Sequence, residues 1–305
     1  MNEFDGLFSV SGLSLDRLRS FLEVVEAGNI AKAAKSDPTR QSQFSRQIKE
    51  LESFFGVALT RRVGRRIEIT EDGHRLARLI RQHFTELNAF REVAAGRPIA
   101  LRFGAAGSII EWLLVPRLAE CRSALGEGIL EFEQSRSADV VRGVTDGRLD
   151  FGIVRDDALS EGIARRSLGA IGYGLFAPKG AWKGDQSVRQ VMETFPVAEL
   201  LPGGRFQSLY HDLCLEKGWR PQVVARVSSF VQLGRLVAGG KCASVLPLLA
   251  ESVFDPRKII GKPLPWRHQR AMSMIWNSRS LERDGIPADV VDGLVEVLSW
   301  KGGSA

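Results

Sequence analysis

The stretch TRQSQFSRQIKELESFFGVALTRRVGRRIEIT, residues 39–70, decides how the first third of the chain folds. Its apolar positions Phe44, Ile48, Leu51 and Phe55 recur at intervals of four, three and four, which puts them on one face of a helix. That helix is expected to start near Thr39 or Arg40 and to stop at Gly56. Beyond it, Leu59–Arg62 and Ile67–Thr70 read as two short strands around the basic turn Val63-Gly64-Arg65-Arg66. From Arg40 to Arg66 there are seven basic residues (Arg40, Arg46, Lys49, Arg61, Arg62, Arg65, Arg66) against two acidic ones (Glu50, Glu52), a local balance of +5. A cationic helix followed by a cationic hairpin is the footprint of a protein that binds a polyanion.

Upstream, Leu18, Phe21, Leu22 and Val25 predict a helix from Leu15 to Ala27 closed by Gly28-Asn29. A short helix follows, with Ile30, Ala33 and Ala34 inward, and ends at Asp37-Pro38 because the residue before proline is pushed out of the α region. Three helices and a basic wing make a winged helix-turn-helix whose third helix enters the major groove. Gln41, Ser42, Gln43, Ser45 and Arg46 set a run of donors away from Phe44 and Ile48, and Gln and Arg are the side chains that contact adenine and guanine in bidentate fashion. Arg40, near the helix start, opposes the dipole by about 0.3–1 kcal/mol, a cost that a phosphate or a guanine edge would offset. Downstream, Thr70 caps a helix expected to reach about Ala95, with Glu71 and Asp72 in its first turn. Its positions Leu76, Ile80, His83, Leu87, Phe90 and Ala94 alternate by four and three, the seam of a short coiled coil. The seam predicts a dimer, and hence double-stranded DNA with two related half-sites.

Residues 15–73 resemble the DNA-binding domain of LysR-type transcriptional regulators. LRSFLEVVEAGNIAKAAK (Leu18–Lys35), QFSRQIKELESFFGVALTRR (Gln43–Arg62) and GRRIEITEDG (Gly64–Gly73) keep residue types and gap lengths without insertion. The resemblance implies that Gln41, Ser42, Ser45 and Arg46 read the major groove and that Arg65 reaches the minor groove. Asp37 stands where that family usually has a buried leucine, Arg40 where a small polar residue is usual, and Ser42 where proline is usual. These departures imply an altered turn into the reading helix.

After Pro98 the pattern changes to alternating strands and helices, beginning with a strand at Ile99–Gly104, a helix at Trp112–Cys121, a strand at Ile129–Glu133, a helix at Ala138–Thr145 and a strand at Leu149–Val154. Such alternation predicts parallel strands with crossover helices. A second set runs from Tyr173 to Leu246; Ala271–Trp276 reads as a strand returning to the first half, and Asp289–Trp300 as a closing helix. The fold class is therefore α+β and α/β: a winged helix-turn-helix at 1–70, a linker helix at 71–97 and a two-lobed α/β domain at 98–305. SADVVRGVTDGRLDFGIV (Ser137–Val154) and LVAGGKCASVLP (Leu236–Pro247) resemble the effector domain of the same family, which is similar in fold to periplasmic solute-binding proteins. The resemblance implies a small-molecule effector between the lobes and an assembly of two or four chains, with RNA polymerase a further expected partner. Ser108, Ser137, Arg155, Gly203 and Phe206 are the expected effector contacts, since each sits at a strand exit or helix start, where free amides favour anions.

A length of 305 residues leaves room for two or three domains, and 44% hydrophobic with 26% charged residues is ordinary for a soluble globular chain. The net charge of +6 does not separate the domains: residues 1–97 hold 16 basic and 13 acidic residues and the remainder 26 and 23, so each part carries +3. Only the cluster between Arg40 and Arg66 is concentrated. Cys121, Cys214 and Cys242 lack redox or zinc spacing, which fits a reducing cytoplasm, and Cys242 reads as a small packed residue. There is no secretory signal pattern and no run of eighteen apolar residues, so a membrane partner is not expected. His74, His83, His211 and His268 share no metal spacing, and no dinucleotide fingerprint, phosphate-binding loop or nucleophile with its base stands out. No catalytic residue, metal or cofactor is expected. The main rival is a two-lobed binding protein or enzyme with a basic N-terminal interaction module, which would lack salt-dependent duplex binding. A nonspecific architectural DNA binder would differ in its ratio of operator to random-DNA affinity.

Overall fold

A computed structural model describes residues 7, 10–63, 66–95, 100–125, 129–159, 162–283, 286 and 288–300. The chain divides into two compact units, Met1–Arg97 with Asp146–Arg148, and Pro98–Thr145 with Leu149–Ala305.

The first unit is built on helices α1 (Leu15–Ala27), α2 (Ile30–Ala33) and α3 (Pro38–Phe55). The Ser14 hydroxyl accepts from the Arg17 amide to open α1, and Gly28 closes it at φ +79°, a left-handed conformation that costs glycine nothing. Helix α3 begins at Pro38, earlier than the apolar spacing suggests. The Asp37 carboxylate accepts from the Thr39 and Arg40 amides at 2.8 and 3.4 Å, and proline at the first helical position has no amide to lose. Phe21, Val24, Ala34, Phe44, Ile48, Leu51 and Leu59 form the core, each large side chain contributing about 1.5–3 kcal/mol by leaving water.

Strands β1 (Thr60–Val63) and β2 (Arg66–Ile69) make the wing, with Thr60 opposite Ile69 and Arg61 opposite Glu68. One Glu52 oxygen ties the wing to α3, accepting from the Leu59 and Thr60 amides and the Thr60 hydroxyl at 2.9, 2.9 and 3.0 Å. Helix α4 (Glu71–Ala94, 24 residues) spans about 36 Å at 1.5 Å per residue. The Thr70 hydroxyl accepts from the Gly73 amide at 3.0 Å. Gly73 itself lies so close to the wing that a Cβ there would meet the Leu59 carbonyl oxygen at 2.3 Å.

The expected dimer seam splits in two along α4. Ile80 is 3% exposed and Leu76 half-buried, both packed with Ala77 and Phe84 into the three-helix core, so neither is free to meet a partner chain. Leu79, His83, Leu87 and Phe90 stay open to solvent. The four-and-three period runs through both sets, and only the proximity of α1 to the early turns decides which face is covered.

The second unit holds two five-stranded sheets. The first has the order β4-β3-β5-β12-β6, from strands β3 (Ala100–Ala105), β4 (Ile129–Gln134), β5 (Phe151–Arg155), β6 (Ala164–Ile171) and β12 (Arg270–Trp276). The second has the order β11-β7-β10-β8-β9, from β7 (Tyr173–Pro178), β8 (Pro196–Leu200), β9 (Gln222–Val227), β10 (Ala243–Pro247) and β11 (Ile259–Pro263). The sheets are mixed rather than wholly parallel. β12 runs antiparallel to β5 and β6, and β7 antiparallel to β10 and β11. The chain leaves the first sheet between Ile171 and Tyr173 and returns over residues 264–269.

Helix α6 (Ser137–Thr145) packs on the first sheet, where a Cβ on Gly152 would meet Val140 Cγ1 at 2.5 Å. Helices α7 (Val188–Thr194), α8 (Arg205–Lys217) and α9 (Phe230–Ala238) cover the second. The helix expected at Trp112–Cys121 begins earlier, at Gly107, and passes through a π turn at Ile110–Leu114 and a 3-10 turn at Val115–Arg117 before α5 (Leu118–Leu125). Pro116 lies in that 3-10 turn, where its missing amide and ring interrupt the α pattern.

Candidate functional site

Two concavities carry the residue types that the sequence singled out, one in each unit. In the first unit a groove of about 690 Å³ is lined by Gly28–Lys32 at the start of α2, Gln41 and Ser45 on α3, and Ile67 and Glu68 on the wing. Gln41 and Ser45 are four apart, so they stack on one face of α3, and that face turns toward the wing. Ser42 and Gln43 are exposed but do not line this groove. Arg46 is exposed on the next turn, its Nε 3.7 Å from Glu50 Oε1. Arg65 lies outside the described residues; Arg61 and Arg62 are exposed on β1, and Arg61 reaches Glu68 at 3.1 Å.

Arg40 is compensated within the unit itself. Its guanidinium is 3.5 Å from Glu23 on α1 and 5.5 Å from the centre of the Phe44 ring. The dipole penalty is thus met by a carboxylate and an aromatic face without a bound phosphate. Asn29 and Lys32 belong to the groove although the sequence did not single them out; Asn29 accepts from the Lys32 amide at 2.8 Å as the cap of α2. A capping asparagine in a four-residue helix is a signal for a helix start, and nothing in its type marks it as facing a groove.

In the second unit a cleft of about 310 Å³ opens between the two sheets. Ser108 follows β3, Ser137 opens α6 and Arg155 ends β5, and all three line it. The Ser137 hydroxyl accepts from the Arg155 amide at 3.3 Å, leaving its own hydrogen to donate. Arg136 and Arg270 complete the polar lining, and no Asp or Glu is among the described residues that line the cleft. Arg155 pairs across the ladder with Met272, and Arg270 is two residues from Met272 on the same strand, so all three project from one face of the first sheet. Ile109, Trp112, Ile171, Tyr173, Phe230 and Leu249 supply apolar walls. Arg270 lies 6.0 Å from the Tyr173 ring centre. Burial pushes the Tyr173 hydroxyl up to about 12, so it serves as a hydrogen-bond donor at neutral pH.

Gly203 and Phe206 do not line this cleft. Gly203 turns at φ +99° before α8, and Phe206 is buried in the core of the second sheet, 4.7 Å from Tyr173 ring to ring. The matching helix start of the second lobe is therefore filled by an aromatic side chain. Tyr173, at the start of β7, lines the cleft from the second lobe and Arg270, on β12, from the first; the sequence singled out neither.

The cysteines occupy three different apolar clusters and all are buried. Burial pushes the Cys121 and Cys214 thiols up to about 11 and raises that of Cys242. None is poised as a thiolate. Among the described residues no group of three or more His, Cys, Asp or Glu could hold a metal ion, and no helix is long and apolar enough to cross a membrane.

Residues 15–74 match the model of the bacterial regulatory helix-turn-helix protein, lysR family, and residues 95–287 match the LysR substrate binding domain. A probable hydrogen peroxide-inducible genes activator of Mycobacterium leprae is 26% identical over 251 residues, covering 80% of this chain and 81% of that protein. Among solved structures, the LysR-family regulator CbnR superposes at a TM-score of 0.58 with 20% identity, over 94% of this chain and 100% of its own. Full-length CbnR has also been solved with its target DNA, at a TM-score of 0.54, 21% identity and coverage of 94% and 99%. LysG of Corynebacterium glutamicum, solved with its effector arginine, gives 0.55 and 20% over 94% and 98%. These relatives are regulators rather than enzymes, which sets aside the reading as a two-lobed enzyme. With both of its units matched in order by family models, this chain belongs to the LysR family of DNA-binding transcriptional regulators.

Proposed function

We propose that this regulator reads its operator through Gln41 and Ser45, holds the DNA backbone through Arg46, and answers to a small organic anion held between the lobes. The observation that carries the second half is the composition of the cleft: Arg136, Arg155 and Arg270 line it with no carboxylate among its described lining residues, while its walls are aromatic and aliphatic. The Arg270 guanidinium, half-buried beside the Tyr173 and Phe206 rings, has no ion pair among the described residues, an arrangement that is costly without a counter-charge. A ligand with a carboxylate or phosphate head and an apolar body meets both halves of that lining. Ser108 and Ser137 add hydroxyl donors, and the start of α6 adds the positive end of a nine-residue helix. LysG, whose fold this chain shares, was solved with an arginine effector; the cationic lining here favours a ligand of the opposite net sign.

On the DNA side, Gln41 and Ser45 share the face of α3 that turns into the groove, and Arg46 stands one turn from Ser42 with its head group free to leave Glu50. Arg65 on the wing turn is assigned to the minor groove by its place in the family motif. The solved CbnR complex with target DNA supports the general mode. Leu79, His83, Leu87 and Phe90 form the self-association stripe of α4, so the operator carries two related half-sites and the active species contains at least two chains. Residues 1–70 then read DNA, 71–97 pair chains and 98–305 sense the effector. RNA polymerase is the partner through which a bound regulator would change transcription, in the cytoplasm where the chromosome lies.

The test uses acid–amide pairs on the full chain. Benzoate and phenylacetate should bind at least tenfold more tightly than benzamide and phenylacetamide, and Arg270→Gln should remove the difference. Equal binding of acid and amide would overturn the anion reading.

A further inference from the structure

A second cavity of about 310 Å³ shares Arg155 and Arg270 with the effector cleft and is otherwise lined by Asp156, Asp157, Arg205, His268, Gln269 and Ala271. Asp157 bridges two of its arginines. Arg155 Nε lies 3.3 Å from Asp157 Oδ1, and Arg205 Nη1 donates to Asp157 Oδ2 at 2.7 Å. Arg155 and Asp157 belong to the lobe of the first sheet; Arg205 is the first residue of α8, on the lobe of the second. One carboxylate therefore holds a cleft-lining arginine with one oxygen and ties the two lobes together with the other.

The turn that presents Asp157 is fixed from below. The hydroxyl of buried Ser273 on β12 donates to Asp156 Oδ1 at 2.8 Å, and the Leu159 amide donates to the Asp156 carbonyl at 3.2 Å. The backbone that carries Asp157 is thus anchored to the first-sheet lobe, and its carboxylate is held between Arg155 and Arg205. Arg136 and Arg270 have no ion pair among the described residues, so Arg155 is the one cleft arginine whose charge is already shared.

We infer that Asp157 is a positioning residue for the effector: it competes with the ligand's acidic group for Arg155, and through Arg205 it converts that competition into a change in how firmly the lobes are tied. The inference rests on the anion reading of the cleft. An anion that draws Arg155 away leaves Asp157 wholly to Arg205 and tightens the tie between lobes. Conversely, loss of Arg205 leaves Asp157 wholly to Arg155 and opposes the ligand.

The two partners of Asp157 therefore predict effects of opposite sign. In equilibrium dialysis of the full chain with benzoate, Asp157→Asn should bind about 2- to 5-fold more tightly than wild type, the range expected for an exposed ion pair. Arg205→Gln should bind about 2- to 5-fold more weakly, Asp157→Glu should stay near wild type, and high salt should shrink all the differences. A merely structural role would move Asp157→Asn and Arg205→Gln in the same direction. That outcome, or no change in either, overturns the inference while the preference of wild type for benzoate over benzamide leaves the anion reading standing. If wild type shows no such preference, the anion reading fails and this inference fails with it.

Discussion

The arginines of the DNA-reading unit and those of the effector cleft are the same side chain in opposite circumstances. On the first unit Arg40 lies against Glu23, Arg46 against Glu50 and Arg61 against Glu68, all at partly or largely exposed positions. In the cleft Arg270 is half-buried beside the Tyr173 and Phe206 rings with no acidic neighbour among the described lining residues, Arg136 is exposed, and Arg155 is shared with a carboxylate. Exposed pairs are cheap to exchange, worth about 0.2–1 kcal/mol, so surface arginines can leave a carboxylate for a phosphate with little loss. A partly buried cation without an ion pair, as Arg270 is among the described residues, is a standing demand for a counter-charge. The difference separates a surface that trades partners along a polyanion from a pocket that waits for one small anion.

The largest expected effect breaks the assembly rather than either site. Leu87→Asp puts a charge into the exposed stripe of α4 and should convert the dimer to monomer in sedimentation, lowering affinity for a two-half-site operator about 100-fold through lost avidity. An unaltered assembly would assign Leu79, Leu87 and Phe90 to some other contact. Gln41→Ala should cost about 1–3 kcal/mol of operator binding and relax preference at one base pair per half-site, read by selection from random DNA pools. Arg46→Ala should weaken binding to all sequences alike and reduce the salt slope by about one per chain. If Arg46→Ala instead alters base preference, its exchange from Glu50 goes to a base edge and the contrast between trading and waiting arginines narrows. The smallest effect concerns the turn before α3. Lys35 and Ser36 hold φ of +51° and +64°, so Ser36→Gly should stabilise the chain by about 0.5–1 kcal/mol in urea unfolding, without changing effector binding.

Legibility in the sequence followed the same division. Helices α1 to α3 and the wing follow from a contiguous run, and Gln41 and Ser45 come together because a helix places residues four apart on one face. The errors there are local: the carboxylate of Asp37 pulls the start of α3 back to Pro38, and Ile80 is claimed by the unit's own core although its spacing fits the seam. The cleft is assembled from segments as distant as Ser108 and Arg270, brought together by β12 returning antiparallel beside β5. Ser108, Ser137 and Arg155 were legible because strand exits and helix starts converge on one edge of a sheet. Arg270 was not, since it enters the cleft from the start of a strand running the other way. Gly203 and Phe206 were expected by analogy between the lobes, which fails because Phe206 packs on Tyr173 and closes that helix start.

Anion sensing by the cleft is tested most directly by the response of operator binding to ligand charge. Fluorescence anisotropy of a labelled operator, selected from random pools with the full chain, is followed while acid–amide pairs such as benzoate and benzamide are added to wild type and Arg270→Gln. Acids are expected to shift the operator affinity of wild type while their amides do not, and Arg270→Gln is expected to bind operator normally but to ignore both. Amides acting as strongly as acids, or an undiminished acid response in Arg270→Gln, would contradict anion sensing by the cleft.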